Sequence, residues 1–401
     1  MKPGRLKIKV SKTLQGKILK GHPWVHFYQV QNKPPSRAAA GDLGIIYDHR
    51  NRFLAIGLYD PCSDIRLRVL ATRDPAPIDR DFFRERLERA GRLREPLLSQ
   101  ATTGFRLVHG ENDGLPGLVV DRYGDTLAMK LYTAAWFPYL EEVADLLREL
   151  FAPGRLVLLL SRHVQRTSSG APPHGKVLFG PPLEGPVLFS ENGLVFQADI
   201  VSGQKTGFFF DQRDNRARIR DLARDLEVLN VFSYSGGFSV YAFAGGGRSV
   251  VEVDINPHAQ EAARRNLELN FPELLVPGRF EQIQGDAFQV LSRLSARGRL
   301  FDLVLLDPPA FASSRRHRQQ ALQAYLRLAR FGARCTRPGG RLFAASCSQP
   351  VSADAFYRSV DLGIRQTGRK GRVLFRSRHA LDHPVTFREG SYLKAICLEI
   401  P

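Results

Sequence analysis

Val228-Leu-Asn-Val-Phe-Ser-Tyr-Ser-Gly-Gly237 is an apolar strand running into a turn of mostly small side chains, and a helical pattern follows it. Three further runs repeat the arrangement: Val251-Glu-Val-Asp254, Gly285-Asp-Ala-Phe288 and Leu306-Asp-Pro-Pro-Ala-Phe311. Strands that end in small or acidic residues and alternate with helices predict a doubly wound, Rossmann-like α/β domain. Its polar groups gather at the carboxyl edge of the sheet, where a nucleotide-like cofactor binds.

Working outward from that run, Asp211 is expected to N-cap a helix with Ile219, Leu222, Ala223 and Leu226 along one face. Ser233-Tyr-Ser-Gly-Gly237 lets the backbone approach a ligand closely. A dinucleotide fold would place G-x-G-x-x-G there, and this chain does not have it, which points to S-adenosylmethionine instead. Asp254 closes the second strand, where an acid can accept both ribose hydroxyls or simply cap the next helix. Asn256 and Pro257 start that helix. Asp286 is read as the end of the third strand and a possible acceptor for the adenine amino group, with a helix cap as the alternative.

The fourth strand, Asp302–Leu306, leads into Asp307-Pro-Pro-Ala-Phe311. Two prolines cannot extend the ladder, so Asp307 and Phe311 project from the strand end. A planar base could stack on Phe311 while Asp307 accepts from a base nitrogen. Pro338-Gly-Gly340 then turns the chain into a fifth strand, Arg341–Ser346, that ends at Cys347. Neighbouring fourth and fifth strands would set Asp307 and Cys347 on one rim. A thiol there suits one chemistry in particular. Carbon 5 of a pyrimidine attacks an electrophilic methyl only after a thiolate has added to carbon 6. Asp307, His383 and water are the candidate proton acceptors. Cys335 and Cys397 fall in apolar core patterns, and no CxxC pair exists to hold zinc or a disulfide framework.

The rest of the chain divides into two smaller modules. Residues 1–72 read as short strands with turns: Leu6–Val10, Leu43–Tyr47, Phe53–Tyr59 and Ile65–Val69. They resemble an all-β module of the PUA type, which implies binding to structured RNA. Pro75-Ala-Pro77 is a linker. Residues 76–188 form an α+β middle domain that begins with an Arg-rich helix over 82–98 and ends in a loop over 167–185, and residues 191–401 hold the α/β domain. No run is apolar enough to span a membrane and no signal peptide is recognisable, so a cytoplasmic protein is expected. A formal charge of +18 on 401 residues favours a polyanionic partner, although an Arg-rich solvated surface would give the same number. Arg66-Leu-Arg68 and the helix bearing Arg84 to Arg94 are the candidate RNA surfaces. Nothing in the sequence fixes an oligomeric state.

With these residues in view, the chain resembles the bacterial 23S rRNA cytosine-C5 methyltransferases that carry an N-terminal PUA domain. The matching stretches are Gln204-Lys-Thr-Gly-Phe-Phe-Phe-Asp-Gln-Arg-Asp-Asn215, Asn230–Ser239, Gly285-Asp-Ala-Phe288, Asp307-Pro-Pro-Ala-Phe311, Ser346-Cys-Ser348 and Asp382-His-Pro-Val385. The resemblance implies cofactor contacts from Gln204, Lys205, Phe208 and Arg213, joined by Phe232, Ser233, Tyr234, Ser235, Gly236, Asp254 and Asp286. It also implies a nucleophile at Cys347 and ribosomal RNA as partner. Family members often have Cys-Ser-Cys-Ser where this chain has Ala344-Ala-Ser-Cys-Ser348, so Cys347 is the one thiol available there. Two other readings compete: methylation of an exocyclic amine, for which the thiol is superfluous, and a non-enzymatic RNA-binding assembly factor.

Overall fold

The computed structural model describes residues 3–48, 50–168 and 170–401. The chain divides into two compact units. One comprises residues up to Glu191 with 198–210 and 381–390, and the other 192–197, 211–380 and 391–401. Among the described residues no helix is long and apolar enough to cross a membrane.

The first unit opens with β1 (Arg5–Ile8), α1 (Lys12–Leu19), β2 (Trp24–His26), β3 (Leu43–Tyr47), β4 (Phe53–Tyr59) and β5 (Ile65–Thr72). These strands form one sheet in the order β1-β3-β4-β5-β2. Helix α1 corrects the all-β expectation. Ser11 caps it at Leu14 N, and only Leu14 and Ile18 are buried, a single i,i+4 pair beside Gly16 that gives little periodic signal. The alternation in β5 also misled. Arg68 is 7% exposed and ion-paired to Glu111 at 2.7 Å, because the segment around Glu111 and Gly117 covers its face of β5.

The unit continues with α2 (Arg80–Leu98), β6 (Gly104–His109), β7 (Leu118–Tyr123), β8 (Thr126–Leu131), α3 (Leu140–Phe151), β9 (Arg155–Leu160), α4 (Arg162–Thr167), β10 (Lys176–Phe179) and β11 (Val187–Glu191). A second sheet runs β10-β9-β8-β7-β6, so strand β10 occupies part of the segment read as loop. Helix α2 buries Phe83 against Trp136 and Tyr139, with ring centroids 5.5 and 5.4 Å apart. Its arginines are held within the unit. Arg94 is 1% exposed and bonds both oxygens of Asp113 at 2.9 and 2.7 Å, and Arg86 donates to the carbonyls of Gly114, Phe82 and Leu70. Arg84 pairs with Glu149. The expected basic face of this helix is therefore largely spent on internal partners.

The second unit contains β12 (Leu194–Ala198, of which 194–197 belong here), α5 (Arg213–Leu222), β13 (Glu227–Val231), α6 (Gly237–Ala244), β14 (Ser249–Asp254), α7 (Pro257–Glu268), β15 (Phe280–Gln284), α8 (Ala287–Ala296), β16 (Phe301–Leu306), α9 (Arg318–Cys335), β17 (Thr336–Ser346), α10 (Ala353–Arg365), β18 (Arg372–Ser377) and β19 (Lys394–Ile400). The seven-stranded sheet runs β15-β14-β13-β16-β17-β19-β18. The first five are parallel, and β19 is antiparallel to both its neighbours. Strands β13 and β16 are adjacent although two β/α units separate them in sequence. That reversal is the switch point where the crevice of such a sheet opens. Near-continuous apolar strands fit burial on both faces: Leu229, Val231, Val253, Val304 and Leu306 are all buried.

Two local readings are corrected here. Asp211 does not cap α5, which starts one residue after Gln212. Ile219 and Ala223 of the expected stripe are buried, and the polar Arg213, Asn215 and Arg216 are buried with them. Pro338-Gly-Gly340 lies within β17, where the pairing register jumps between Phe301↔Thr336 and Leu303↔Arg341 and the extra residues form a bulge.

Candidate active site

The turn after β13 is the most constrained backbone of the second unit. Phe232, Tyr234 and Gly236 have φ of 63°, 47° and 75°, left-handed values that non-glycine residues seldom adopt. A Cβ at Gly236 would meet that of Ala263 at 2.8 Å. The turn persists because it is held both from within and from the neighbouring strand β14. Gly236 N bonds Ser233 O, and Tyr234 N donates to Asp254 Oδ2 at 2.9 Å. Asp254, the last residue of β14, also accepts from Asn256 N through Oδ1 at 2.9 Å. Two backbone donors fix the carboxylate and still leave lone pairs for further donors, as paired ribose hydroxyls require. Ser233 Oγ is buried with no hydrogen-bond partner among the described residues. A strained, close-packed turn with an orphaned hydroxyl and a rigid carboxylate fits a nucleoside-bearing cofactor. Ser235 is buried in the same turn.

Asp286 stands two residues beyond β15 and caps α8, its Oδ1 accepting from Gln289 N at 3.0 Å. Of the residues in the Gln204–Asn215 run, Gln204, Lys205 and Phe208 fall in the first unit. Gln204 is exposed. Lys205 has φ 55° and its ammonium lies 4.2 Å from the Phe209 ring centroid. Phe208 is buried against Phe189 and Phe210. Arg213 opens α5 in the second unit, 1% exposed and 3.3 Å from Asp214.

At the other side of the switch point, Asp307 and Cys347 directly follow the neighbouring parallel strands β16 and β17. Both are half-buried. Asp307 Oδ1 accepts from Gln212 Nε2 at 2.9 Å, Gln212 Oε1 accepts from Asn215 Nδ2 at 2.5 Å, and Asn215 Oδ1 accepts from Ser377 Oγ. Phe311 lies between two rings, Tyr325 at 4.9 Å and Phe288 at 6.2 Å.

The backbone around Cys347 is clamped. Ser346 and Ser348, both fully buried, each bond the Tyr325 hydroxyl at 2.8 Å, and Ser348 Oγ accepts from Ala312 N. Lys394, 3% exposed at the start of β19 and opposite Ser346, donates to the carbonyls of Ser348, Val351 and Tyr392 at 2.6, 2.8 and 2.9 Å. Burial lowers this ammonium to about 8, and its attraction to Cys347 opposes that fall. The other two thiols of this unit are inert by comparison: burial pushes Cys335 and Cys397 up to about 12. His383 belongs to the first unit, buried with Nδ1 3.2 Å from Asp382 Oδ1 and its ring 4.8 Å from that of His109.

Sequence reasoning missed Gln212, Tyr325 and Lys394. Gln212 stood inside a quoted motif. Lys394 had one signal, a cation at the head of an otherwise apolar strand.

A parallel sheet that reverses at β13/β16, with a glycine turn and a fixed acid on successive strand ends, defines a class I methyltransferase. The chain belongs to the S-adenosylmethionine-dependent methyltransferase family, which residues 145–374 match, and residues 8–72 match a PUA-like domain. Among curated relatives, a ribosomal RNA large subunit methyltransferase of Deinococcus radiodurans is 44% identical over 99% of this chain and 98% of its own. A ribosomal RNA large subunit methyltransferase I of Pseudoalteromonas translucida is 34% identical over 94% and 95%. A solved Streptococcus mutans protein assigned as a SAM-dependent methyltransferase shares the fold, with TM-score 0.83 and 20% identity over 98% of this chain and all of that one.

Proposed function

We propose that the protein methylates carbon 5 of a cytosine in large-subunit, 23S ribosomal RNA through a covalent intermediate on Cys347, acting in the cytoplasm. The observation that carries the reading is the contrast among thiols. Cys347 alone in its unit stands at the carboxyl rim, beside Asp307 and against a buried ammonium, while Cys335 and Cys397 are sealed in the core. Relatives named for ribosomal RNA along almost their whole length support the substrate class.

S-adenosylmethionine supplies an electrophilic methyl group. Asp254 and the backbone of residues 232–236 would hold its nucleoside, with Asp286, Arg213, Gln204, Lys205 and Phe208 as further contacts. The Cys347 thiolate adds to carbon 6 of an unstacked cytosine, forming a sulfur–carbon bond and moving the 5,6 electron pair onto carbon 5. Asp307, aimed by Gln212, accepts from the exocyclic amine and holds the base edge. Phe311 offers a ring face beside it. Once carbon 5 is methylated its proton leaves, the double bond re-forms and the Cys347 sulfur departs. Asp307 is the first candidate to take that proton, ahead of His383 and water. Residues 1–72, 76–188 and 191–401 would serve as RNA-capturing, bridging and catalytic modules.

RNA carrying 5-fluorocytosine tests this, because a fluorine on carbon 5 cannot leave as a proton. A covalent protein–RNA adduct that vanishes in Cys347→Ala is expected. Normal carbon-5 methylation by Cys347→Ala, or methylation of an exocyclic amine, would sink the mechanism.

A further inference from the structure

Several arginines of this basic chain are already ion-paired, among them Arg68, Arg94, Arg106 and Arg337. One group of unpaired arginines is set apart by its place on the carboxyl rim of the sheet. Strand β18 ends at Ser377, which faces Ala395 on β19, and Ala395 faces Ala345 on β17. The three stand in one row across the sheet. Two strand spacings of about 4.8 Å put Ser377 roughly 10 Å from the strand that carries Cys347. Ser377 is also the origin of the hydrogen-bond relay through Asn215 and Gln212 to Asp307.

Around Ser377 opens a pocket of about 450 Å³, lined by Arg218 of α5, Tyr357 of α10, and Arg376 and Arg378 at the end of β18. All three arginines are exposed, and among the described residues none forms an ion pair or a side-chain hydrogen bond. Arg376 lies 4.7 Å from the centroid of Tyr357 and Arg218 lies 4.9 Å from that of Phe375. Stacking on a ring orients a guanidinium without neutralising it. Two acids share the pocket, Asp214 and Asp354. Asp214 sits 3.3 Å from Arg213, so arginine charge remains in excess.

We propose that this pocket binds the phosphodiester backbone of the RNA substrate next to the nucleotide presented to Cys347. The inference rests on the reading of the protein as an RNA methyltransferase. Guanidinium forks match phosphate oxygens in geometry as well as charge, and two of the three are pre-oriented by rings. The carboxyl rim is where a flipped nucleotide must enter, and its flanking phosphates then pass within one or two strand widths. The relay to Asp307 gives phosphate binding a route to the carboxylate that holds the base.

The test uses the full-length protein, a short mixed-sequence single-stranded RNA, and S-adenosylmethionine titrated separately. Arg376→Gln/Arg378→Gln should weaken RNA binding about 10- to 100-fold and flatten the salt slope by about 0.7 for each phosphate no longer neutralised. Cofactor affinity and thermal midpoint should stay as in wild type, and Arg376→Lys should keep most of the slope. Unchanged RNA affinity and slope in the double variant, with an active wild type, overturns the pocket alone. Loss of cofactor affinity in the double variant would assign the pocket to the cofactor and overturn the proposal. Wild-type protein that binds RNA through these arginines but methylates no large-subunit ribosomal RNA would overturn the functional reading and leave the pocket standing.

Discussion

Asp254 and Lys394 act by being held still. Asp254 has one backbone donor on each oxygen, so its acceptor directions are set before a ligand arrives. Asp254→Ala should weaken S-adenosylmethionine binding by about 1–3 kcal/mol, since it removes acceptors and frees the strained turn at Tyr234. Calorimetry that shows unchanged affinity would remove Asp254 from the site. Lys394 fastens two carbonyls that follow Cys347, those of Ser348 and Val351, together with that of Tyr392. Lys394→Met should cost about 2–4 kcal/mol of stability by leaving those carbonyls without a charged donor. By reciprocity with its attraction to the thiol, the same change should slow alkylation of Cys347 at fixed pH. Alkylation at the wild-type rate, in protein shown to be folded, would end that coupling. Asp254, Asp307 and Cys347 were legible in the sequence because each closes an apolar strand. Lys394 was not, because its partners are backbone carbonyls, which leave no mark on residue identity.

At the scale of elements, β14 carries a buried acid that the sequence pattern hid among valines. Glu252 is wholly buried, accepts from Gln282 Nε2 at 3.1 Å, and its Oε1 would stand 3.1 Å from a Cβ at Gly236. Burial raises its carboxyl from 4.5 to about 7. A folded-state value above the unfolded one means that the fold retains the proton. The contribution of Glu252 to stability is then fully present below about pH 4.5 and is lost as pH rises through about 7. Glu252→Gln, neutral throughout, should remove this slope and gain about 1–3 kcal/mol above about pH 7. Urea midpoints that follow the wild-type pH curve would show that Glu252 is not its source. Strands β3 and β4 were read from the sequence with their observed bounds, since apolar runs between turn signals are local. The small helix α1, strand β10 and the insertion of β19 between β17 and β18 were not. Each depends on partners distant in the chain, and a short apolar run does not say which neighbour it will pair with.

For the molecule as a whole, the charge of +18 does not translate into a uniformly basic surface. Arg94 and Arg106 are locked in buried pairs with Asp113 and Asp121. Arg94→Ala should therefore destabilise the first unit by about 3–5 kcal/mol, through the unpaired Asp113 left behind. Arg84→Gln should leave the salt slope of RNA binding unchanged, because Arg84 already serves Glu149. A slope that flattens in Arg84→Gln would return α2 to the RNA surface. Net charge was readable from composition; which arginines face solvent was not, because ion pairing is decided by tertiary neighbours. The antiparallel strand β19 has one further consequence, for the order of assembly. Until residues 394–400 have been made, β17 presents an unsaturated edge and β18 has nothing to join. The ammonium that clamps the Cys347 loop arrives on that same strand. A nascent chain can thus display the strained turn at 232–236, its acids and its cysteine and still lack the clamp, so the thiol gains its charged neighbour only when the sheet closes. Premature termination upstream of β19 would leave β17 with an open edge and the Cys347 loop without its clamp.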